Sequence, residues 1–495
     1  MKKLTLGFVL MLLVTSIVSC TKTEYVTVTP EAEADLSTYT IMMYGCGGEN
    51  LDEPMILNIQ EALFAGATDR VNFTGQIKFS ARFQQNDVLK GTQRFIVGEA
   101  GDMWYEPVEV MDSNVELYDP QVLADFIKWS KEQCPADNYI LILWNHGGGW
   151  LPTDDYYNQG ESRAVVYDDY LGKRGLSLSN LVKGIKASDT KFKMVYFDAC
   201  LMGMLEVVAE LGECTDYTMA ASHITPGNSG DYDALMYHLN KSTNFEQSMK
   251  SFCRETVAHW SVQETPFDLM LVDNSKIEPV LDVVGELAGY VTEVLEMCME
   301  YAENEGEGDK NIEYLASIYN SAVNYCYNYD TGFPFYDIRT FAEVLANSVS
   351  TTYSAKFVSV ASKLHRAMDE AIVCKQLSSV IAGMDLSMAV TIVDQNLWNQ
   401  FGYQEAYDTL YFQQRTGWGN WLAMNPVTPS HNPNPGTVVP GGGEGGEGGE
   451  GGEGGEGGEG GEGGEGGEDG NQQPVDPEQA LALEIEHILN IIGKN

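Results

Sequence analysis

The stretch Tyr139-Ile-Leu-Ile-Leu-Trp-Asn145-His146-Gly147-Gly-Gly-Trp150 decides how this chain folds. Its unbroken apolar and aromatic run predicts a strand that is buried on both faces, and such strands belong to parallel sheets covered by helices. The strand leads directly into His146 and three glycines. The carboxyl ends of parallel strands are where α/β sheets build their sites, so His146 is a candidate catalytic base. Taken alone, a histidine that only caps a strand explains this stretch equally well.

A second stretch repeats the pattern, since Phe192-Lys-Met-Val-Tyr-Phe-Asp198-Ala-Cys200 is an apolar strand that ends in a carboxylate and a thiol. A helical pattern follows at Leu201–Leu211, and a helix dipole at that N-terminus is expected to favour thiolate over thiol. Alone, Cys200 also fits a small core residue. Because neighbouring parallel strands end at one edge of a sheet, the two stretches together predict a nucleophile, Cys200, beside its base, His146.

Asp198 precedes Cys200 by two residues, and residues two apart in a strand face the same way. We therefore expect its carboxylate at the floor of a substrate pocket, where it would pair with an Arg or Lys side chain. The alternative is a carboxylate that only orients a loop.

The rest of the chain predicts an α/β fold, a mostly parallel sheet flanked by helices with a more helical C-terminal region. Further strands are predicted at Tyr39–Tyr44, Gln76–Ala81, Arg94–Val97, Tyr217–Ala221 and Leu269–Val272. Helices are predicted between them at Val122–Trp129, Leu176–Ala187 and Leu201–Leu211. Beyond Asp273 the predictions are helices at Ile277–Tyr301, Ile312–Asn324, Ile338–Ser348 and Ala355–Cys374, with one strand at Ala389–Val393.

The sequence of residues 1–20 indicates that the protein is exported. Met1-Lys2-Lys3 and the apolar run that follows fit a secretory signal, and Ile17-Val18-Ser19-Cys20 resembles a bacterial lipobox in which Cys20 is acylated. An ordinary signal peptide with a chance cysteine is the alternative. If Cys20 is acylated, the protein is lipid-anchored in the cell envelope, on the periplasmic face or the cell surface.

Composition limits the partners. The net charge of −43 argues against nucleic acid and against adsorption to anionic lipid. The cysteines include no C-x-x-C pair and show no regular spacing, which argues against a structural zinc site and a compact disulfide scaffold. Some of them can still pair in an oxidising envelope.

The predicted organisation has six parts. They are a signal peptide at 1–19, a lipidated tether at 20–36, a catalytic domain at 37–275, a helix-rich region packed on it at 276–424, a disordered Pro-rich and Gly/Glu-rich linker at 425–475, and an amphipathic helix at 476–495. That last helix is expected to dock on the protein itself or on a partner.

The two decisive stretches resemble those of clostripain-like cysteine peptidases, which have a caspase-like fold. The resemblance lies in a hydrophobic block ending in His146-Gly147 and a second block ending in Asp198-Ala-Cys200, with weaker similarity over most of Thr40 to Leu422. It implies a Cys200–His146 dyad, an oxyanion site at the backbone N–H groups of Gly147 and Cys200, and cleavage after Arg or Lys selected by Asp198.

The resemblance also implies activation by self-cleavage between His146 and Cys200. The basic residues of the polar stretch Trp150 to Leu178 are Arg163, Lys173 and Arg174, and any of the three can be the cut. No cofactor is required for the chemistry. Calcium is possible, because Asp154, Asp155, Asp168 and Asp169 offer oxygen ligands, but their spacing defines no metal site.

The chain departs from the family pattern after Ser222, where His223 stands in place of an expected acidic residue. A position lining the cleft is one alternative for His223, and a surface position is the favoured expectation. Two other functions remain open. One is a non-catalytic caspase-like binding lipoprotein, since a fold does not guarantee activity. The other is a glycan-handling surface lipoprotein, against which the chain lacks an obvious carboxylate pair for glycoside hydrolysis.

Overall fold

The computed structural model describes most of the chain from Thr38 to Met424 and a short C-terminal segment. The described ranges are 38–48, 50–151, 165–172, 174–227, 229–261, 265–305, 325–330, 333–348, 353–393, 398–399, 403–424 and 486–493. The predicted signal segment with Cys20, the tether, the helix at Ile312–Asn324 and the linker lie outside these residues. Within them, no helix is long and apolar enough to cross a membrane.

Thirteen strands are found in the described residues. They are β1 (Tyr39–Cys46), β2 (Val71–Lys78), β3 (Thr92–Ile96), β4 (Glu109–Met111), β5 (Asn138–Trp144), β6 (Val165–Asp168), β7 (Arg174–Leu176), β8 (Phe192–Asp198), β9 (Thr215–Ala220), β10 (Asp268–Asp273), β11 (Phe335–Asp337), β12 (Ile372–Leu377) and β13 (Ala389–Thr391). Nine of them form one sheet, in the order β12-β10-β9-β8-β5-β1-β2-β3-β4.

The helices among the described residues include those that flank this sheet. They are α1 (Asp52–Ala65), α2 (Pro120–Gln133), α3 (Leu178–Ala187), α4 (Leu205–Glu210), α5 (Tyr232–Lys241), α6 (Phe245–Trp260), α7 (Ile277–Glu305), α8 (Ile338–Ser348), α9 (Ser354–Ala371), α10 (Tyr403–Asp408), α11 (Tyr411–Thr416), α12 (Trp418–Leu422) and α13 (486–491).

The five central strands run parallel and the outer strands antiparallel. The apolar alternation of β5 explains why both faces are covered. Leu141 and Leu143 enter one hydrophobic cluster, and Ile140 and Ile142 enter the other. The predicted α/β class with a mostly parallel sheet is confirmed.

Several predicted elements end or begin elsewhere. The strand predicted over Gln76–Ala81 is β2, which spans Val71–Lys78, and two helices also differ. The helix predicted over Ala355–Cys374 stops at Ala371, and the β-branched residues that follow belong to β12, which pairs antiparallel with β10 at the sheet edge. The helix predicted over Leu201–Leu211 begins only at Leu205. In both cases tertiary pairing overrides the helical periodicity of the local sequence.

The C-terminal helix α13 contacts α1. Ile488 and Ile492 are buried, and Leu489 and Ile491 pack on the same hydrophobic cluster as the α1 side chains. Gln60 Nε2 on α1 donates a hydrogen bond to the Ile491 carbonyl oxygen at 2.9 Å.

Candidate functional site

The register of β5 and β8 brings the two predicted catalytic stretches together. Trp144 lies opposite Asp198 in this parallel pair, so His146 and Cys200 each follow two residues later at the same sheet edge. The backbones touch just beyond this point. A Cβ atom on Gly147 would lie 2.2 Å from the Cys200 carbonyl oxygen and 3.0 Å from its nitrogen. Only glycine permits so close an approach of the two loops.

His146 is half-buried, and its ring contacts a residue that the sequence did not single out. His146 Nε2 lies 3.1 Å from Asn50 Oδ1, in the turn between β1 and α1. An amide oxygen only accepts hydrogen bonds, so this contact fits the tautomer that carries its proton on Nε2. The position of Asn50 near the site could have been predicted from the sheet topology. The turn after a central strand must lie at the same edge as the ends of its neighbours.

The Cys200 thiol contacts the loop after β9. The Thr225 N–H donates to Cys200 Sγ at 3.3 Å, and Thr225 Oγ1 lies 3.6 Å from the sulfur. Burial raises the pKa of the Cys200 thiol, while the Thr225 contacts lower it in part. The expected helix dipole is wrong as a cause of thiolate formation. α4 begins five residues after Cys200 and spans six residues, whereas dipole effects fall off within the first turn.

A strained turn follows Cys200 and ties it to this loop. Leu201 has a φ of 62°, a left-handed conformation that costs a non-glycine residue about 1–2 kcal/mol. Its N–H donates to the His223 carbonyl oxygen at 3.0 Å, and the Gly203 N–H donates to the Ala221 carbonyl oxygen at 2.7 Å. These bonds hold the loop of residues 221–225 against the nucleophile. Strain of this kind is typical of functional turns.

Asp198 is buried, with 5% of its surface exposed. Its carboxylate accepts hydrogen bonds from Ser229 Oγ and Tyr232 OH, each at 2.8 Å. Burial raises the pKa of Asp198 to about 6, against the lowering effect of the two hydroxyls. The carboxylate therefore lies beside Cys200 with partners that are both neutral.

His223 is not at the surface, and that expectation is wrong. The side chain is 2% exposed, and its Nδ1 and Nε2 atoms bond to Asp268 and to Tyr327 OH respectively. Asp268 also lies 2.8 Å from Lys375 Nζ on β12. His223, at the position of the expected acid, thus belongs to a buried charged cluster. This cluster includes Lys375 of the edge strand β12, so the sequence around His223 could not predict it.

The predicted cut sites and calcium ligands fall partly outside the described residues, among them Arg163, Lys173, Asp154 and Asp155. Arg174 opens β7, and its guanidinium lies over the Tyr118 ring at 5.4 Å from the centroid.

The remaining two calcium candidates have protein partners. Asp168 forms a buried ion pair with Lys78 at 2.7 Å, and Asp169 accepts the Ala81 N–H. In the part of the chain that the structure describes, no three His, Cys, Asp or Glu side chains are grouped to hold a metal.

Clostripain of Hathewaya histolytica is 27% identical over 232 residues, which are 42% of this chain and 43% of that protein. The chain therefore spans less than half the length of this curated relative.

Two solved structures are similar in fold. A secreted C11 cysteine protease from Bacteroides thetaiotaomicron, in complex with an irreversible peptide inhibitor, has a TM-score of 0.56 at 14% identity and covers 78% of this chain and 100% of its own. An inactive zymogen C11 protease from Parabacteroides distasonis has a TM-score of 0.50 at 16% identity, covering 77% and 98%. The caspase-like fold that the sequence predicted is confirmed.

A sequence model of the Clostripain family matches residues 87–424, which is more than half of the chain. This confirms the resemblance carried by the His146 and Cys200 blocks, and the chain belongs to the clostripain family.

Proposed function

We propose that this protein is a cysteine endopeptidase in which Cys200 is the nucleophile and His146 is its base. The observation that carries the proposal is the register of β5 and β8, which ends both strands at one edge and leaves Gly147 against the Cys200 backbone. A thiol and an imidazole in such proximity form the nucleophile-and-base pair of covalent catalysis.

The mechanism uses these groups in turn. His146 Nδ1 takes the proton of Cys200 Sγ, and the thiolate attacks the substrate carbonyl. The backbone N–H groups of Gly147 and Cys200 stabilise the oxyanion. His146 then protonates the leaving amine, and water hydrolyses the acyl-enzyme. Burial raises the pKa of the Cys200 thiol, so the mechanism needs His146 as the acceptor of its proton.

Asp198 is proposed to select Arg or Lys at P1, the residue whose carbonyl is attacked. Burying a charge is costly unless a charge or strong donors compensate it. The described partners of Asp198, Ser229 and Tyr232, are neutral hydroxyls, and the pKa raised to about 6 reports that this compensation is incomplete. A basic P1 side chain would supply the missing cation.

Self-cleavage between His146 and Cys200 is proposed as the activating step, at Arg163, Lys173 or Arg174. The solved structure from Parabacteroides distasonis is that of an inactive zymogen, and it supports an activation step in a protein of this fold. Mass mapping of the purified chain should find a cut after one of these residues, and the Cys200→Ala chain should remain intact. A cut that persists in Cys200→Ala would assign the processing to another protease.

We also place the protein in the bacterial envelope, anchored by acylated Cys20, with α13 docked on α1 of the same chain. The contacts of Ile488, Ile492 and Gln60 support the docking. Cys20→Ser should move the protein from the detergent phase to the aqueous phase in Triton X-114 partitioning. Unchanged partitioning would leave Cys20 without this role.

The test of the proposed function uses the chain produced without residues 1–20 and fluorogenic peptides with Arg, Lys, Asp or Leu at P1. Cleavage after Arg and Lys should fall by a factor on the order of 10⁴ or more in Cys200→Ala and in His146→Ala. Cys374→Ala is the matched control, because Cys374 is the other partly buried thiol among the described cysteines.

Other outcomes have distinct meanings. Cleavage only after Asp or Leu would keep the dyad and overturn the role of Asp198. No cleavage, even after trypsin has nicked the stretch from Trp150 to Leu178, would favour a non-catalytic binding protein.

A further inference from the structure

Two cysteines from distant parts of the chain meet on one face of the sheet. Cys253 lies on α6 and is fully buried, whereas Cys374 lies on the edge strand β12 and is half-buried. Their side chains form a thiol–thiol hydrogen bond, although about 120 residues of chain separate them. Two thiols in contact need little backbone movement to reach the geometry of a disulfide.

The pairing of β12 with β10 explains why Cys374 meets α6. Cys374 lies opposite Leu271 in this antiparallel pair, and residues directly opposite each other share a face of the sheet. Leu271 and Cys253 belong to the same hydrophobic cluster, against which Cys374 also packs. The next residue, Lys375, turns to the other face and contacts Asp268. The contact between the thiols is therefore set by the register of the sheet.

The two thiols differ in exposure and in acidity, whereas a pair that only fills space in the core needs no such difference. Burial, and then the contact with Cys374, raises the pKa of Cys253. The hydrogen bond with Cys253 lowers the pKa of Cys374 against the effect of burial, and the charge of Lys250 adds to the lowering. Because the thiolate is the attacking species in disulfide exchange, Cys374 is the thiol that can react with an external disulfide.

We propose that Cys253 and Cys374 form a disulfide in the exported protein and that this bond fastens the edge strand β12 to α6. The oxidant is a small-molecule or protein disulfide of an oxidising compartment. The Cys374 thiolate attacks one sulfur of the oxidant and expels the other as a thiolate. Cys253 then attacks the Cys374 sulfur and releases the second oxidant sulfur. Two cysteine thiols are oxidised, one external disulfide is reduced, and the two cysteine protons end on the released thiols.

The bond would stabilise a strand on which the buried charged cluster depends. β12 is at the edge of the nine-stranded sheet, and its register with β10 shifts next to Leu271. Lys375, the residue after Cys374, compensates Asp268 on the opposite face. A disulfide restricts the unfolded chain, and in the chain-entropy model the stabilisation grows with the length of the closed loop. Oxidation should therefore raise stability and leave the reaction centre unchanged.

The test uses the full chain carrying Cys200→Ala, so that the proposed nucleophile neither reacts nor digests the protein. After incubation with oxidised glutathione, N-ethylmaleimide blocks the remaining thiols and trypsin cleaves the unfolded chain. The peptides Ser251–Arg254 and Ala367–Lys375 should appear as one disulfide-linked species that a reductant separates. Both peptides carrying N-ethylmaleimide, or a Cys374 that stays in a mixed disulfide with glutathione, would overturn the proposal.

Thermal unfolding tests whether the bond fastens the folded state. The Tm of the oxidised chain should exceed that of the reduced chain by on the order of 5 °C. Cys374→Ala should abolish this difference, whereas Cys214→Ala should keep it, because Cys214 is buried in the cluster on the other face. Equal Tm values for the oxidised and reduced chain would overturn the fastening of β12. The test supplies the oxidant, so its outcome depends neither on the proposed export nor on the proposed peptidase activity.

Discussion

Asp198 and Asp268 are two buried carboxylates at the same edge of the sheet, with opposite electrostatic surroundings. Asp198 ends β8, and Asp268 opens the antiparallel strand β10, two positions away in the sheet. Asp198 has two hydroxyl partners, and burial raises its pKa to about 6. Burial also acts to raise the pKa of Asp268, but the charges of Lys375 and His223 outweigh it and hold the pKa well below the usual range.

At these two positions the charge of the partners, and not the extent of burial, decides whether the buried acid is ionised. The fold places a cation beside Asp268, because Lys375 belongs to the neighbouring strand β12. Asp198 lacks an equivalent among the described residues, and its ionised form is costly until a cation arrives. Asp268 is therefore a structural group, and the contrast supports the proposal that a basic substrate side chain is the partner of Asp198.

The largest expected effect comes from removing the compensated acid. Asp268→Asn should destabilise the folded state by about 3–5 kcal/mol, because Lys375 and His223 would remain buried without their carboxylate. Urea unfolding in a Cys200→Ala background, which prevents self-digestion, measures the loss. Its pH slope follows from the lowered pKa. The stabilisation by Asp268 is present above the unfolded-state pKa near 3.9 and is lost as the pH falls through the folded-state pKa below it.

The double variant Asp268→Asn/Lys375→Met sharpens this test. If the loss arises from an uncompensated cation, the double variant should be more stable than the sum of the single effects predicts. Simple additivity would show that the two side chains act independently, and it would contradict the conclusion that Lys375 compensates the charge of Asp268.

Asp198→Asn should change stability in the opposite direction. The folded-state pKa of about 6 lies above the unfolded value, so the wild-type chain loses stability as the pH rises from about 4 through 6. Asn mimics the neutral acid and avoids this loss. The stability of the variant relative to wild type should therefore improve by about 2 kcal/mol between pH 4.5 and 8.

The same variant should lose function while it gains stability. The preference for Arg or Lys over Gln at P1 should fall by about 10²-fold, because the cation would meet an amide. Urea unfolding across this pH range and kcat/KM with paired peptides are the two measurements. A variant that is less stable at pH 8, or one that keeps its P1 preference, would return Asp198 to the alternative role of orienting a loop.

The sequence predicts the features that depend on local pattern and misses those that depend on contacts between distant segments. The apolar blocks before His146 and before Asp198 predicted their strands and the meeting of the two strand ends, because the buried parallel pattern is local and the register follows from it. The burial of His223 was not predicted, since it depends on Asp268 and on Lys375 of β12. The sequence of β12 continues a helical pattern and was predicted as part of a helix. Asn50 and Thr225 were missed for a related reason, because the loop contacts that place them beside the dyad are set only by the folded sheet.

The smallest expected effect on catalysis concerns one hydrogen bond to Asp198. Tyr232→Phe removes the OH that bonds Asp198 at 2.8 Å, one of two contacts that lower the pKa of this carboxylate, so the pKa should rise further above 6. The loss of one hydrogen bond to a charged group should cost about 1.5–3 kcal/mol of stability at pH 8 and less at pH 5, where the acid is largely neutral.

The functional readout is the pH dependence of KM. For an Arg peptide, the rise of KM on acidification, which reports protonation of Asp198, should begin at a higher pH in Tyr232→Phe than in wild type, whereas kcat at high pH should change little. Tyr237→Phe, an exposed tyrosine on the same helix, is the matched control. An unshifted profile in Tyr232→Phe would mean that ionisation of Asp198 does not govern substrate binding, and the contrast with Asp268 would then be one of stability alone.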